Sequence, residues 1–278
     1  MKGFCSLLQG LDIYRRLAFL WIVNRLCTQS ITNVNGPVVS LTTHGNRAKT
    51  VYLAIESIGR GTVRPSRLIL WVHEEWIRED CPAELRRLQK RGLEVRTCDD
   101  VGPHKKYYPY VVSSEPLDVP LVTADDDIMY PRSWLKGLVE EFRKHPDVVN
   151  CYRARVMELE GAKLANYSSW RFASSTRASF RRFAGSGAGA IYGPPLQRAF
   201  RDGGLQFISC CPKADDIWLH VQAIRAGYMT RQIANKKSRL ITIPNTQGCS
   251  LWRTNVAGND AQVSATYTAE DLRVLESE

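Results

Sequence analysis

From Val38 to Tyr152 the chain alternates short β-rich apolar runs with stretches whose apolar residues recur at helical spacing. That alternation restricts the fold more than any other feature. Val38–Thr43, Leu68–Val72, Glu94–Thr97, Leu121–Ala124 and Val148–Tyr152 read as strands. Lys49–Ile58 and Ala83–Arg91 read as helices. So does the stretch opened by Pro131, with Trp134, Leu135, Leu138, Val139 and Phe142 on one face. Strands and helices of these lengths in alternation predict an α/β protein with a mainly parallel, doubly wound sheet flanked by helices. Asp215–Ala226 adds a later helix stopped by Gly227, and Arg239–Ile243 a late strand. With 278 residues and neither a repeat nor a clean linker, residues 34–278 read as one domain.

Residues 1–33 form an appendage. Phe4, Leu7, Leu8, Leu11, Tyr14, Leu17, Ala18 and Trp21 recur at helical spacing, with Arg15, Arg16 and Arg25 close by. The apolar run Leu17–Val23 is far shorter than the ~20 residues a spanning helix needs. Asp12 and the lack of a small-residue cleavage site fit a signal peptide poorly. Two readings stay open: an amphipathic helix lying in a membrane interface, or one docked on the globular body.

The Asp125-Asp126-Asp127 triplet closes the Leu121–Ala124 run. Three adjacent carboxylates at the C-terminal mouth of a strand repel each other and need compensation, for which a divalent cation is a natural candidate. Ligands of open α/β sheets bind at that edge. The alternative is a solvated acidic turn that caps the next helix. Asp215-Asp216 is a second acidic cluster, readable as an N-cap and first turn or as a carboxylate that takes a proton from an attacking hydroxyl. Lys105 and Lys106, just past Gly102-Pro103, could reach diphosphate oxygens. Ser40–Arg47 lacks the glycine spacing of a P-loop or a dinucleotide fingerprint.

Composition adds limits. Lys plus Arg number 38 against 28 Asp plus Glu, a net charge of +10 that suits phosphate-bearing ligands, anionic membranes or nucleic acid. The eight cysteines form no CxxC pair and have no histidine at zinc-ligand spacing, so they read as reduced thiols of a cytosolic protein. In residues 160–185 Tyr167, Trp170, Phe172, Phe180 and Phe183 alternate with Ser and Arg, too polar for a core element by pattern. Bases could stack on such aromatics, but a nucleic-acid partner leaves both acidic clusters unexplained, since they would repel phosphate.

Taken in order, Val-Ser-Leu-Thr-Thr, Gly-Pro-His-Lys-Lys, Thr-Ala-Asp-Asp-Asp-Ile-Met-Tyr-Pro, Gly-Ala-Gly-Ala-Ile-Tyr and Ala-Asp-Asp-Ile-Trp-Leu resemble nucleotide-sugar glycosyltransferases of GT-A (Rossmann-like) fold, closest to bacterial family-2-like enzymes of surface-polysaccharide biosynthesis. The resemblance spans residues 37 to 262. It implies a DxD motif in which Asp127 and Asp125 bind Mn²⁺ or Mg²⁺, with Asp216, or Asp215 beside it, as catalytic base. Thr43, Arg47, Asp100, Lys106, Asp125 and Asp126 would bind the donor, most simply a UDP-sugar. Trp170, Gly189 and Trp218 would belong to the acceptor site or its loop, and the acceptor would be a glycan or a lipid-linked hydroxyl. Partners would include an anionic membrane surface but not nucleic acid, for a protein in the cytoplasm or peripheral on the membrane's inner face. One departure is plain: no histidine follows His220, so the C-terminal histidine ligand of some members is missing, with Asn259 and Asp260 as possible substitutes. A metal-dependent nucleotidyl- or phosphotransferase is the competing enzymatic reading.

Overall fold

Buried on both faces, a parallel strand loses the apolar–polar alternation of a half-exposed one, and Val38 to Leu41 are all buried. The computed structural model describes residues 2–73, 81–161, 163–235, 240–246, 248 and 258–278, with side chains from residue 10 onward. The expected strand start at Arg239, Cys249 and the side chains of Phe4, Leu7 and Leu8 lie outside the described residues. The first half runs α1 (Lys2–Leu26), β1 (Val38–Thr42), α2 (Val51–Gly59), β2 (Arg67–His73), α3 (Ala83–Gln89), β3 (Leu93–Cys98), α4 (Tyr108–Ser113), β4 (Leu121–Thr123), β5 (Ile128–Met129), α5 (Trp134–Lys144) and β6 (Val149–Cys151). Each strand and helix expected before residue 152 is present, with ends shifted by up to three residues. The second half runs β7 (Ala154–Val156), β8 (Leu159–Glu160), β9 (Lys163–Leu164), β10 (Arg171–Phe172), β11 (Arg182–Ala184), β12 (Ala190–Tyr192), α6 (Pro194–Asp202), α7 (Phe207–Cys210), α8 (Asp215–Arg225), β13 (Thr230–Gln232), β14 (Ile241–Thr242), α9 (Asn259–Thr266) and α10 (Ala269–Glu276).

Seven strands form one sheet in the order β13-β6-β12-β4-β1-β2-β3. The pairs β1–β2, β1–β4, β2–β3 and β6–β13 are parallel, while β12 runs antiparallel to both β4 and β6. This mixed, mostly parallel sheet is the α/β arrangement the sequence predicts. The reversed strand creates the site. Ala190 pairs with Thr123 on one side and Cys151 on the other, so the chain enters β12 where β4 and β6 end. The loop Gly185–Gly189 therefore meets the aspartate triplet and Arg153 at one edge.

Three expectations change. The late strand β14 pairs with β5 in a separate two-stranded ladder and does not extend the main sheet. The cap of α8 is Ala214, so Asp215 and Asp216 both stand in its first turn. Part of the aromatic segment is core: Trp170 and Phe183 are each 1% exposed and pack with Tyr167 under the small β10-β7-β11 sheet, while Phe172 stays 40% exposed. Arg171 and Arg177 are exposed beside these rings, so local polarity does not reveal which rings are covered.

Helix α1 docks on the body along one face. Ile13, Leu17 and Leu20 pack with Leu53, Ala54, Met129 and Ile243. At its foot Asn24, 1% exposed, donates to Glu56 Oε1 at 2.9 Å and accepts from Arg87 Nε, also at 2.9 Å. Arg91 shares the same Glu56 oxygen at 2.6 Å. The buried Glu56 carboxylate is thus compensated by an arginine and an amide, which fixes the helix against α2 and α3.

One glycine holds the turn into β12. Gly189 has φ +108°, and a methyl there would overlap the indole of Trp134, whose Nε1 donates to Ala188 O at 3.0 Å. Gly189→Ala is expected to destabilise the fold by at least about 1–3 kcal/mol, from overpacking alone. Denaturant unfolding monitored by tryptophan fluorescence checks this.

Candidate active site

Repulsion within the triplet is relieved by two cations of the chain itself. Arg47, held in the turn after β1, bridges Asp126 Oδ1 at 2.9 Å and Asp127 Oδ2 at 3.0 Å, while its Nε donates to Thr246 O at 3.1 Å. Burial works against the Arg47 charge, but Asp126 and Asp127 outweigh it and raise its pKa. Asp126 turns inward, 3% exposed, and accepts from Thr43 Oγ1 at 2.7 Å. Burial raises the Asp126 pKa by more than Arg47 and Thr43 lower it. Asp126 and Thr43 are therefore struts for Arg47, and neither lines the cleft.

Lys106 takes the other side of the triplet. Its Nζ lies 2.8 Å from Asp125 Oδ1, 3.2 Å from Asp215 Oδ2 and 3.2 Å from Ser186 Oγ. Burial opposes its charge, yet the two carboxylates raise its pKa well above the usual lysine value. Ser186 Oγ in turn donates to Asp215 Oδ2 at 2.8 Å. The glycine loop is pinned from behind: Thr123 Oγ1 donates to Ser186 O at 3.0 Å and Tyr130 to Gly187 O at 2.6 Å. Four segments distant in sequence thus meet at one ammonium.

Asp216 stands next to this clamp on the wall of a cleft of about 480 Å³. Part of its surface faces the cleft, but the surrounding protein desolvates it. That desolvation, reinforced by Asp215 and only partly opposed by Lys106, pushes its pKa up to about 7. A carboxylate poised there exchanges a proton near neutral pH.

Of the residues predicted from sequence, Arg47, Lys106, Asp125, Asp127, Asp215 and Asp216 come together on the cleft wall. Others stand elsewhere. Asp100 has a side chain 61% exposed and pairs with Lys105 away from the cleft. Trp170 and Trp218 are core side chains, 1% and 2% exposed, so the acceptor role expected of them does not match their positions. Gly189 sits behind the loop against Trp134. The neighbouring His104 is also internal: stacked on Phe207 at 3.9 Å and bonded to Cys211 O at 2.8 Å, it is kept neutral by burial, with a pKa near 4.

Sequence reasoning missed the opposite wall, formed by Arg153, Arg155, Tyr167 and Phe172. Arg155 lies 4.7 Å over the Phe172 ring and 5.5 Å over Tyr167, and donates to Trp170 O at 2.7 Å. The buried Nε of Arg153 has no hydrogen-bond partner. Alternation in Arg-Ala-Arg was the available signal, because residues two apart on a strand share a face.

No group of three His, Cys, Asp or Glu among the described residues is arranged to hold a metal alone. Mg²⁺ and Mn²⁺ at phosphate sites, however, take only one or two carboxylates and complete their shells with substrate oxygens and water. Asp125 and Asp127, both on the cleft wall, fit that lighter requirement.

No protein-family model matches the sequence, and no curated protein matches it. Among solved structures, the chain is similar to residues 1–349 of S. aureus TarS at 12% identity and a TM-score of 0.49, over 84% of this chain and 67% of that one. The same TarS fragment in complex with UDP is similar at 12% identity and a TM-score of 0.44, over 72% of this chain and 58% of that one.

Gly187 gives the sharpest test of the clamp. A methyl at this position would overlap the Asp125 carboxylate, the flexible end of a side chain. Gly187→Ala is expected to keep the fold while turning Asp125 away from Lys106. A retained circular dichroism spectrum with a lowered melting temperature, together with an altered Lys106 environment by NMR, is the signature to look for.

Proposed function

We propose that the cleft transfers a sugar from a nucleoside diphosphate donor, a UDP-sugar, to a hydroxyl of a glycan or lipid-linked acceptor, as in surface polysaccharide synthesis. The observation that carries this reading is the convergence on one cleft wall of Arg47, Lys106, Asp125, Asp127, Asp215 and Asp216, with Lys106 bridging Asp125 and Asp215 beside Asp216. Asp216 would accept the proton of the acceptor hydroxyl as its oxygen forms the bond to the anomeric carbon. The bond from that carbon to the diphosphate oxygen breaks, and the electron pair leaves with the diphosphate. Lys106 and Arg47 offset the carboxylates beside the leaving group, and Asp215 fixes the Lys106 ammonium through a shared contact with Ser186. A Mn²⁺ or Mg²⁺ held by Asp127 and Asp125 would add charge neutralisation at the diphosphate. In the segment that motivated the nucleic-acid alternative, Trp170 and Phe183 are core, and the acidic clusters on the same cleft would repel a phosphate backbone.

The test is product analysis with a panel of nucleoside diphosphate sugars. Release of nucleoside diphosphate with sugar transfer supports the proposal; release of pyrophosphate or inorganic phosphate points to the nucleotidyl- or phosphotransferase. Metal dependence is read separately by calorimetry: Asp127→Asn should abolish the gain in UDP affinity that Mn²⁺ gives the unsubstituted protein. Equal gains in both proteins would remove Asp127 from the metal site.

Asp216 generates a paired expectation. As base it works only deprotonated, so kcat/KM should rise with pH through about 7, and Asp216→Asn should lower turnover on the order of 10²–10⁴-fold. Stability has the opposite sign. A carboxyl whose folded pKa is raised favours the fold when protonated, and that contribution is lost as pH rises through about 7. Asp216→Asn should therefore gain thermal stability relative to the parent above pH 7. Melting curves across pH measure it.

A further inference from the structure

Helix α1 has a second apolar face. Of the eleven large hydrophobic side chains that are exposed among the described residues, six belong to this helix: Leu11, Tyr14, Phe19, Trp21, Ile22 and Leu26. At 3.6 residues per turn they fall within an arc of about 160°, opposite the arc through Leu17, Leu20, Val23 and Asn24 that docks on the body. Surface hydrophobics scattered singly need no explanation, but a contiguous set of this size marks an interaction site. Leu17, which a helix lying free in a membrane would insert, is on the docked face.

Charge identifies the occupant. Arg15 and Arg25 lie inside the exposed arc. Asp12 offsets one charge by pairing with Arg15 and Arg16. Arg25 sits 4.1 Å over the Trp21 ring, and Arg60, from the end of α2, 4.7 Å over Phe19. A guanidinium on an aromatic face presents ring body and cation together, an arrangement that suits the boundary between acyl chains and headgroups. At the foot of the helix, a recess of about 100 Å³ beside Cys27 is lined by Arg60, Arg64, Arg91 and Arg132. Arg91 is neutralised by Glu56, but Arg64 donates to Ser30 O and Arg132 to Arg60 O, and neither has an ion pair among the described residues. Two copies of this chain would set like charges against each other across such a face.

We propose that the outer face of α1 and the arginine recess at its foot form a docking surface for an anionic lipid bilayer, with α1 lying in the interface while its inner face stays packed on the domain. The helix needs no detachment, because its two faces serve the two contacts separately. The inference is independent of the chemistry proposed for the cleft.

Co-sedimentation of the full chain with phosphatidylcholine vesicles, with and without phosphatidylglycerol, tests it. The protein should pellet with the mixed vesicles and remain in solution with the neutral ones. The double variant Trp21→Glu/Ile22→Glu should lose binding. Arg15→Gln and Arg25→Gln should each weaken it about fivefold at low salt, the equivalent of about 1 kcal/mol per basic residue. Circular dichroism and melting temperature confirm the fold of each variant, and Leu26→Asp replaces the double variant if that fails to fold. The proposal is overturned if the parent protein does not pellet with mixed vesicles, or pellets equally with neutral ones. It is also overturned if sedimentation velocity shows a dimer that Trp21→Glu/Ile22→Glu dissociates.

Discussion

Everything at the cleft depends on one buried ammonium. Lys106 arrives from the turn after β3, Asp125 from the end of β4, Ser186 from the loop before β12, and Asp215 from the first turn of α8. Without the lysine, the buried Asp215 carboxylate would lose its counter-charge and face Asp125 across the cleft, a destabilising state. With it, the four segments hold one geometry. The clamp also places Asp216: being next to Asp215 in the same turn, it feels both the carboxylate beside it and the lysine beyond. Its raised pKa is a by-product of how the cluster is assembled.

Only one strand of the main sheet runs against the others between β4 and β6, and it matters most for the site. A parallel β12 would enter from the opposite edge and carry Gly185–Gly189 away from the triplet. Gly187 shows how closely the loop and Asp125 approach, since even a methyl would overlap the carboxylate. Gly187 and Gly189 are the positions where the close approach leaves no room for a side chain, with Tyr130 and Trp134 holding the loop carbonyls.

The sequence made the elements legible where periodicity is local. β1 to β4, α2, α3, α5 and α8 follow from apolar spacing and strand-ending turns, and the two acidic clusters announce themselves because adjacent carboxylates require a counter-charge. What compensates them was not legible. Arg47 pairs with residues about eighty positions away and Lys106 with partners up to 109 positions on, and nothing in local pattern specifies such contacts. The same limit hid the Arg153–Phe172 wall. It also made Trp170 look like surface: an aromatic flanked by arginines is ambiguous until a second sheet is known to cover it. Trp218 and Asp100 do not line the cleft for a related reason, since proximity in sequence to a cleft residue does not determine which way a side chain turns.

Helix α1 connects the outer surface with the cleft through a short path. Its docked face rests on Met129 and Ile243, residues of or beside the β5–β14 ladder. Ile243 N donates to Asp127 O at 2.7 Å, and Thr246 O receives Arg47 Nε at 3.1 Å. The ladder beneath the helix therefore supports both Asp127 and the arginine that neutralises it. A rigid contact on the outer face of α1 would fix the orientation of this ladder, and with it the acidic triplet, relative to whatever surface the helix meets. Were an acceptor carried in that surface, orientation would matter as much as affinity, because a transfer reaction depends on holding its reactants in a productive geometry.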